Sequence, residues 1–253
     1  MLIKKIKILK NKVSITLDNK EKISIDKDVY TNFYLYEGKE LDKKELKALL
    51  DANNCNKLLQ YALKIRSKAL YSEYQMREKL YKKEASKKDV DYIIKTLKSY
   101  DLINDEMYAL DLTEYYHSLY YGKNKIKQKL SDKGIFDKEI DKIKFLDSKE
   151  LNKAKHLLPK LEKRYEKYND SLKKQHIYNA YLNLGYDGDI ANKALNNMKV
   201  SSKKDELEKL KVDYKKTKTR LERKYHGKEL KQKIIQSLMQ KGYRLNDIIN
   251  LVG

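Results

Sequence analysis

Four copies of one phrase run along this chain, and a repeat constrains a fold more tightly than any single residue. The clearest copy reads Gly122-Lys-Asn-Lys-Ile126-Lys-Gln-Lys-Leu130-Ser-Asp-Lys-Gly134-Ile135. Counting back eight and four residues from Gly134 gives Ile126 and Leu130, one turn apart on a helix face. The same offsets from Gly185 give Ile177 and Tyr181, and from Gly242 they give Ile234 and Leu238. A weaker first copy has Met76 and Leu80, with Glu84 where the others have glycine. The anchors lie 50, 51 and 57 residues apart. Val90, Ile140, Ile190 and Ile248 follow them and open a further helix each. A glycine just past a helix end suits the left-handed position that closes it.

Each copy is preceded by a longer helical stretch, expected near 53–69, 104–120, 148–168 and 202–225. Ser72-Glu-Tyr-Gln75 and Asp42-Lys-Lys-Glu45 have the form of capping boxes. Asn104 is a good N-cap, and Asp105 and Glu106 behind it suit the positive end of a helix. Pro159 falls inside the third long stretch, where a kink is expected because the apolar spacing continues across it. The last middle helix should be longer than the others, since Gly227 precedes Ile234 by seven residues. The first fifty residues differ. Val13, Ile15 and Leu17 alternate, Asp18-Asn19-Lys20 turns the chain, and Ile23 and Ile25 alternate again. Period two bounded by turn residues predicts strands. A hairpin this small needs support, so it should pack on its own helix at 42–51 or on the first repeat.

The fold class expected is therefore mainly α: tandem three-helix, helix-turn-helix-like repeats in an elongated curved array, after a small antiparallel β/α N-terminal domain. The divisions fall at 1–51, 52–101, 102–146, 147–200 and 201–253.

Charge narrows the partners. The chain has 58 basic and 37 acidic residues in 253, a net charge of +21. This favours a polyanionic partner, nucleic acid or a membrane surface, although Lys-, Ile- and Asn-heavy usage accounts for part of it. No apolar run is long enough to span a membrane, no signal peptide is recognised, and the single Cys55 forms no internal disulfide. A cytoplasmic location is expected.

Catalytic constellations are not found. The four histidines (117, 156, 176, 226) share no ligand spacing, and there is no phosphate-cradling glycine loop. The expectation is no enzyme, no metal and no cofactor. Tyr115, Tyr116, Tyr120 and Tyr121 cluster beside a lysine-rich helix and read as core, with one or two exposed exceptions that could stack on bases. Lys123, Lys125, Lys127, Lys129 and Lys133 flank the Ile126/Leu130 stripe. Lys228, Lys231, Lys233 and Lys241 decorate the last middle helix likewise, and Arg77 and Lys79 the first. A solvated face is the plain reading of any one of them. Recurrence on corresponding helices suggests a basic track, whose affinity for phosphates would fall steeply with salt.

Leu102-Ile-Asn-Asp105-Glu106-Met-Tyr108-Ala109, followed by the stretch from Gly122 to Ile135, resembles the central signature of the RecX family of bacterial recombinase regulators. Ser72-Glu-Tyr-Gln-Met-Arg77-Glu-Lys-Leu80 resembles the segment before it, and the strand-rich start is similar to the extended N-terminus of longer members. The likeness covers about residues 1–145, and the last two units follow the general repeat pattern. Asp105, Glu106, Tyr108, Ala109, Gly122, Ile126, Leu130 and Gly134 match as largely structural residues. The resemblance implies a monomeric protein of DNA repair and the SOS response. It implies binding to RecA and to the groove of RecA filaments on single-stranded DNA, limiting filament growth, ATPase and strand exchange. It also implies weaker, non-specific binding to single- or double-stranded DNA, and no cofactor. A stand-alone basic nucleic-acid-binding repeat protein is the alternative.

Overall fold

Alternating apolar residues at the start do form strands. In the computed structural model, which describes residues 1–252, β1 (Ile3–Ile8), β2 (Lys12–Leu17) and β3 (Lys22–Asp26) make one antiparallel sheet in that order. Val13 pairs with Ile8 and Ile25, and Ile15 with Ile6 and Ile23. Val13, Ile15, Leu17, Ile23 and Ile25 are buried, whereas on β1 Ile6 is half-buried and Ile8 exposed. Lys20 takes a left-handed φ of 67° in the turn before β3, where Asn19 Oδ1 accepts from the Glu21 amide. A short helix not signalled by the pattern, α1 (Lys27–Asn32), follows.

The helices expected at 42–51 and 53–69 are one continuous helix, α2 (Lys43–Arg66), opened by the Asp42/Glu45 capping box. No glycine or proline interrupts it, and Asn53, a weak helix former, is held by the sheet. Its Oδ1 accepts from the Asp26 amide at 2.9 Å, and its Nδ2 donates to the Ser24 carbonyl at 3.3 Å. The sheet is thus tied to its supporting helix by a buried polar side chain.

The repeats follow as α3 (Glu73–Tyr81) and α4 (Lys87–Ser99); α5 (Asp105–Ser118), α6 (Lys123–Asp132) and α7 (Asp137–Ile140); α8 (Asp147–Arg164), α9 (Asp170–Asn183) and α10 (Gly188–Leu195); and α11 (Lys203–Leu221), α12 (Gly227–Gln240) and α13 (Leu245–Val252). The stripe residues Met76, Leu80, Ile126, Leu130, Ile177, Tyr181, Ile234 and Leu238 are all buried, as are Ala85, Ile135, Tyr186 and Tyr243 just past the anchors. Val90, Ile93, Ile94 and Leu97 give α4 a buried face at helical spacing. The middle helices α9 and α12 both have 14 residues, against 9 and 10 in α3 and α6. The extra turn expected only in the last copy is therefore present in the third as well. α8 runs through Pro159 without ending.

Two compact units share the chain. One comprises Met1–Leu110 with Ser131–Glu139, and the other Asp111–Leu130 with Ile140 onward. The first holds the sheet core of Ile3, Val13, Ile15, Leu17, Ile25 and Leu49, and a helical core of Leu58, Ala62, Met76, Leu80, Ile93 and Leu97. The second holds one core of Leu157, Leu161, Ile177, Tyr181, Tyr186 and Ile190, and another of Leu210, Ile234, Leu238, Tyr243 and Ile248.

Candidate interaction surface

The N-terminus of a middle helix has backbone amides with no partner inside the helix, and they need one elsewhere. At α3, Ser72 Oγ accepts from the Gln75 amide at 3.1 Å and donates to the Lys133 carbonyl at 2.6 Å. The Glu73 amide donates to Asp105 Oδ1 at 2.8 Å. The helix is thus capped by its own serine and by an acid from the next repeat, and that acid also suits the positive end of the helix dipole. Asp105 does not simply start its own helix, as the sequence pattern implied. Burial raises its pKa above the usual 3.8, opposed in part by the Glu73 amide.

This joint is built three times. At α6 the Gly122 amide donates to the Leu184 carbonyl at 2.7 Å, Asn124 to the Gly185 carbonyl at 3.0 Å, and Lys123 to Glu150 Oε2 at 2.9 Å. At α9, Asn169 Oδ1 caps the Leu172 amide, and its Nδ2 donates to the Lys241 carbonyl at 2.6 Å. The Asp170 amide donates to Glu206 Oε1 at 3.2 Å. In each case the carbonyl just before an anchor glycine receives the bond, and an acid from the following long helix supplies the second contact. From the sequence Glu150 reads only as the end of an Asp147-Ser-Lys-Glu150 capping-box form, which the structure does not make, since Leu146 is the N-cap of α8; Glu206 was not singled out. Their place near the start of those helices, matching Asp105, is the signal that could have found them.

The joint fixes which glycines are obligatory. A Cβ on Gly185 would overlap Lys125, and one on Gly122 would overlap the backbone of Gly185 and Tyr186. Gly134 lies against Tyr74, and Gly242 against Ser171. Gly227 matches Gly122 in position, but a Cβ there would meet nothing.

Behind the Gly122–Gly185 joint lies a polar network. Lys153 Nζ is 2.7 Å from Glu150 Oε1, 2.6 Å from the Tyr121 carbonyl and 2.7 Å from His117 Nδ1. With the ammonium donating all three protons, Nδ1 accepts and His117 is neutral. Its pKa is accordingly held below 6.5, by burial first and by the Lys153 charge second. Tyr186 Oη donates to the Tyr120 carbonyl at 2.9 Å. Of the clustered tyrosines, Tyr116 is buried, Tyr121 half-buried, and Tyr115 and Tyr120 exposed. Cys55 is half-buried, and burial pushes its thiol up to about 11, which makes it unreactive.

Against this frame the candidate cations divide. Lys123, Lys125, Lys127 and Lys129 line α6 as half-exposed side chains around the buried Ile126 and Leu130. Lys125 Nζ reaches Gln128, and Lys127 lies 3.6 Å from Asp141. Lys123 and Lys129 have no acid partner among the described residues, and Lys133 follows at the Gly134 turn. Lys79 sits 4.7 Å over the Tyr71 ring, and Lys233 5.8 Å over Tyr225. Lys228 and Lys231 are exposed. Two expected contact residues are instead internal ties. Arg77 bridges Glu73 and Asp91 at 2.7 and 2.6 Å, and Lys241 bonds Asp213 at 2.8 Å. Glu106, Tyr108 and Ala109 lie on α5, with Ala109 buried. Among the described residues no His, Cys, Asp or Glu group could hold a metal ion, and no helix is long and apolar enough to cross a membrane.

The fold and this surface define a class first: a tandem helical-repeat protein with lysine-bearing helix faces. No family model matches the chain. Related proteins do. It is 35% identical over 194 residues to a regulatory protein RecX of Clostridioides difficile, covering 74% of this chain and 90% of that one. It is 29% identical over 246 residues to a regulatory protein RecX of Listeria welshimeri, covering 94% and 90%. A crystal structure of a regulatory protein RecX superposes with a TM-score of 0.65 at 26% identity, over 78% of this chain and 99% of that one. RecX from Lactobacillus salivarius gives 0.53 at 27% identity, over 58% and 97%. The chain belongs to the RecX family of regulatory proteins.

Proposed function

We propose that this protein regulates RecA-mediated recombination and repair in the cytoplasm. As a monomer it binds RecA and the groove of RecA–single-stranded DNA filaments, limiting filament growth, ATPase and strand exchange. Family membership supports the regulatory role. The observation that carries the contact surface is α6: a lysine face whose N-terminal end is held in place by the Gly122–Gly185 joint. Lysines suit phosphate or acidic side chains better than base edges, and several weak contacts to successive protomers of a filament add through effective concentration. Lys123, Lys127 and Lys129 are the main contacts, with Lys79, Lys133, Lys228 and Lys231 as further ones.

The test is RecA ATPase and filament length on single-stranded DNA with and without the protein. Replacing Lys123, Lys127 and Lys129 by Gln should weaken the effect on filaments by roughly tenfold or more, at about 0.5 kcal/mol for each partly exposed contact. The fold should survive. Absence of any effect from saturating wild-type protein, beside tight binding to bare DNA, would favour a stand-alone DNA-binding role.

A further inference from the structure

Outside α6, a cluster of exposed cations lies on the C-terminal half of α11 and the turn that follows it. In the first half of that helix acids stand among the lysines: Lys209 pairs with Glu206, and Lys211 with Glu208. Asp213 is bound by Lys241 at 2.8 Å and by Tyr243 Oη at 2.9 Å. Beyond Asp213 the pattern changes. Lys215, Lys216, Thr219, Arg220 and Arg223 line an open groove of about 470 Å³. All five are exposed, four are cationic, and Glu222 is not among them. Arg220 donates to Ser237 Oγ at 3.3 Å, a neutral partner on α12 that orients the guanidinium without cancelling its charge.

Geometry narrows the ligand. Lys215, Thr219 and Arg223 form one ridge at four-residue spacing, and Lys216 and Arg220 form the next. Arg223 continues the first ridge in the turn just past Leu221, and eight residues at helical rise span about 12 Å, over which a duplex presents roughly seven phosphate charges at one per ~1.7 Å. The nearby Tyr214 and Tyr225 are half-buried, so the groove offers bases no open ring to stack on. Four cations and a hydroxyl without an aromatic platform suit a phosphodiester backbone.

We propose that this groove on α11 is a sequence-independent contact for the phosphate backbone of DNA, duplex at least as well as single strand, on a helix separate from the α6 surface. The assignment rests on the functional reading only in taking nucleic acid as the polyanion.

The experiment uses the full chain without RecA. Binding to a fluorescent duplex and to a single strand of equal length is followed between about 50 and 200 mM salt. Lys215→Gln/Lys216→Gln/Arg223→Gln should weaken duplex binding at least tenfold at the low-salt end. It should also flatten the log–log salt slope by about 2 to 3, near 0.9 for each cation removed. Lys218→Gln/Lys224→Gln, one on α11 and one in the turn after it, both outside the groove, is the control and should change little. Circular dichroism and melting should match the wild type for both. Unchanged binding by the folded groove variant, an equal loss in the control, or a strong preference for single strand would each overturn the assignment. None of these outcomes touches the filament test, which fails only if wild-type protein leaves RecA ATPase and filament length unaltered.

Discussion

Gly185 and Glu84 occupy the same place in two copies of the repeat. Both have left-handed backbones, with φ of 87° and 58°, and both end a middle helix. The turn at Gly185 is pressed onto the start of α6, where a side chain would overlap Lys125. Glu84 is exposed, and its side chain makes no hydrogen bond or ion pair among the described residues. The left-handed turn alone therefore does not demand glycine here. A residue with a Cβ tolerates it at about 1–2 kcal/mol; what it cannot tolerate is another backbone at the position of that Cβ. At helix starts, Gly122 has no left-handed φ yet its Cβ would overlap backbone, whereas Gly227 is left-handed at 55° with open space around it.

Three substitutions test that difference. Gly185→Ala should have the largest effect, about 3 kcal/mol or more, because left-handed strain adds to a backbone overlap that no rotamer relieves. Urea unfolding measures it, and a loss under about 1 kcal/mol would mean the joint yields easily. Ser72→Ala comes next. It removes an N-cap and leaves the Lys133 carbonyl without its partner, together costing about 2 kcal/mol. A near-neutral result would show that the joint rests on apolar packing alone. Glu84→Gly should be smallest, within about 0.5 kcal/mol of the parent, since relieved strain is offset by a more flexible unfolded chain. A large loss would reveal a role for the Glu84 side chain that its exposure does not suggest.

Much of the fold was legible because each element is local. The Ile126/Leu130 stripe, the Val13/Ile15/Leu17 alternation and the Asp42 and Ser72 capping boxes are patterns within a few residues, and each is realised. The fusion of two expected helices into α2 was not legible. It depends on Asn53 finding two backbone partners on β3, nearly thirty residues away. The candidate site divides in the same way. Lysines on polar faces were visible as a periodicity. That Arg77 and Lys241 are tied to acids, while the end of α11 keeps its charge, depends on which carboxylates fold into reach.

The sequence by itself determined the repeat, its helices, the strand-bearing start and the net charge, because hydrophobic period and capping chemistry act between near neighbours. The tertiary structure alone decided how one repeat closes on the next. Ser72, Asn169, Asp105, Glu150 and Glu206 each satisfy a helix terminus or a carbonyl thirty or more residues away, or nearly so. A hydrogen bond is set by geometry at about 3 Å, and spacing along a chain does not encode that distance until the chain has folded.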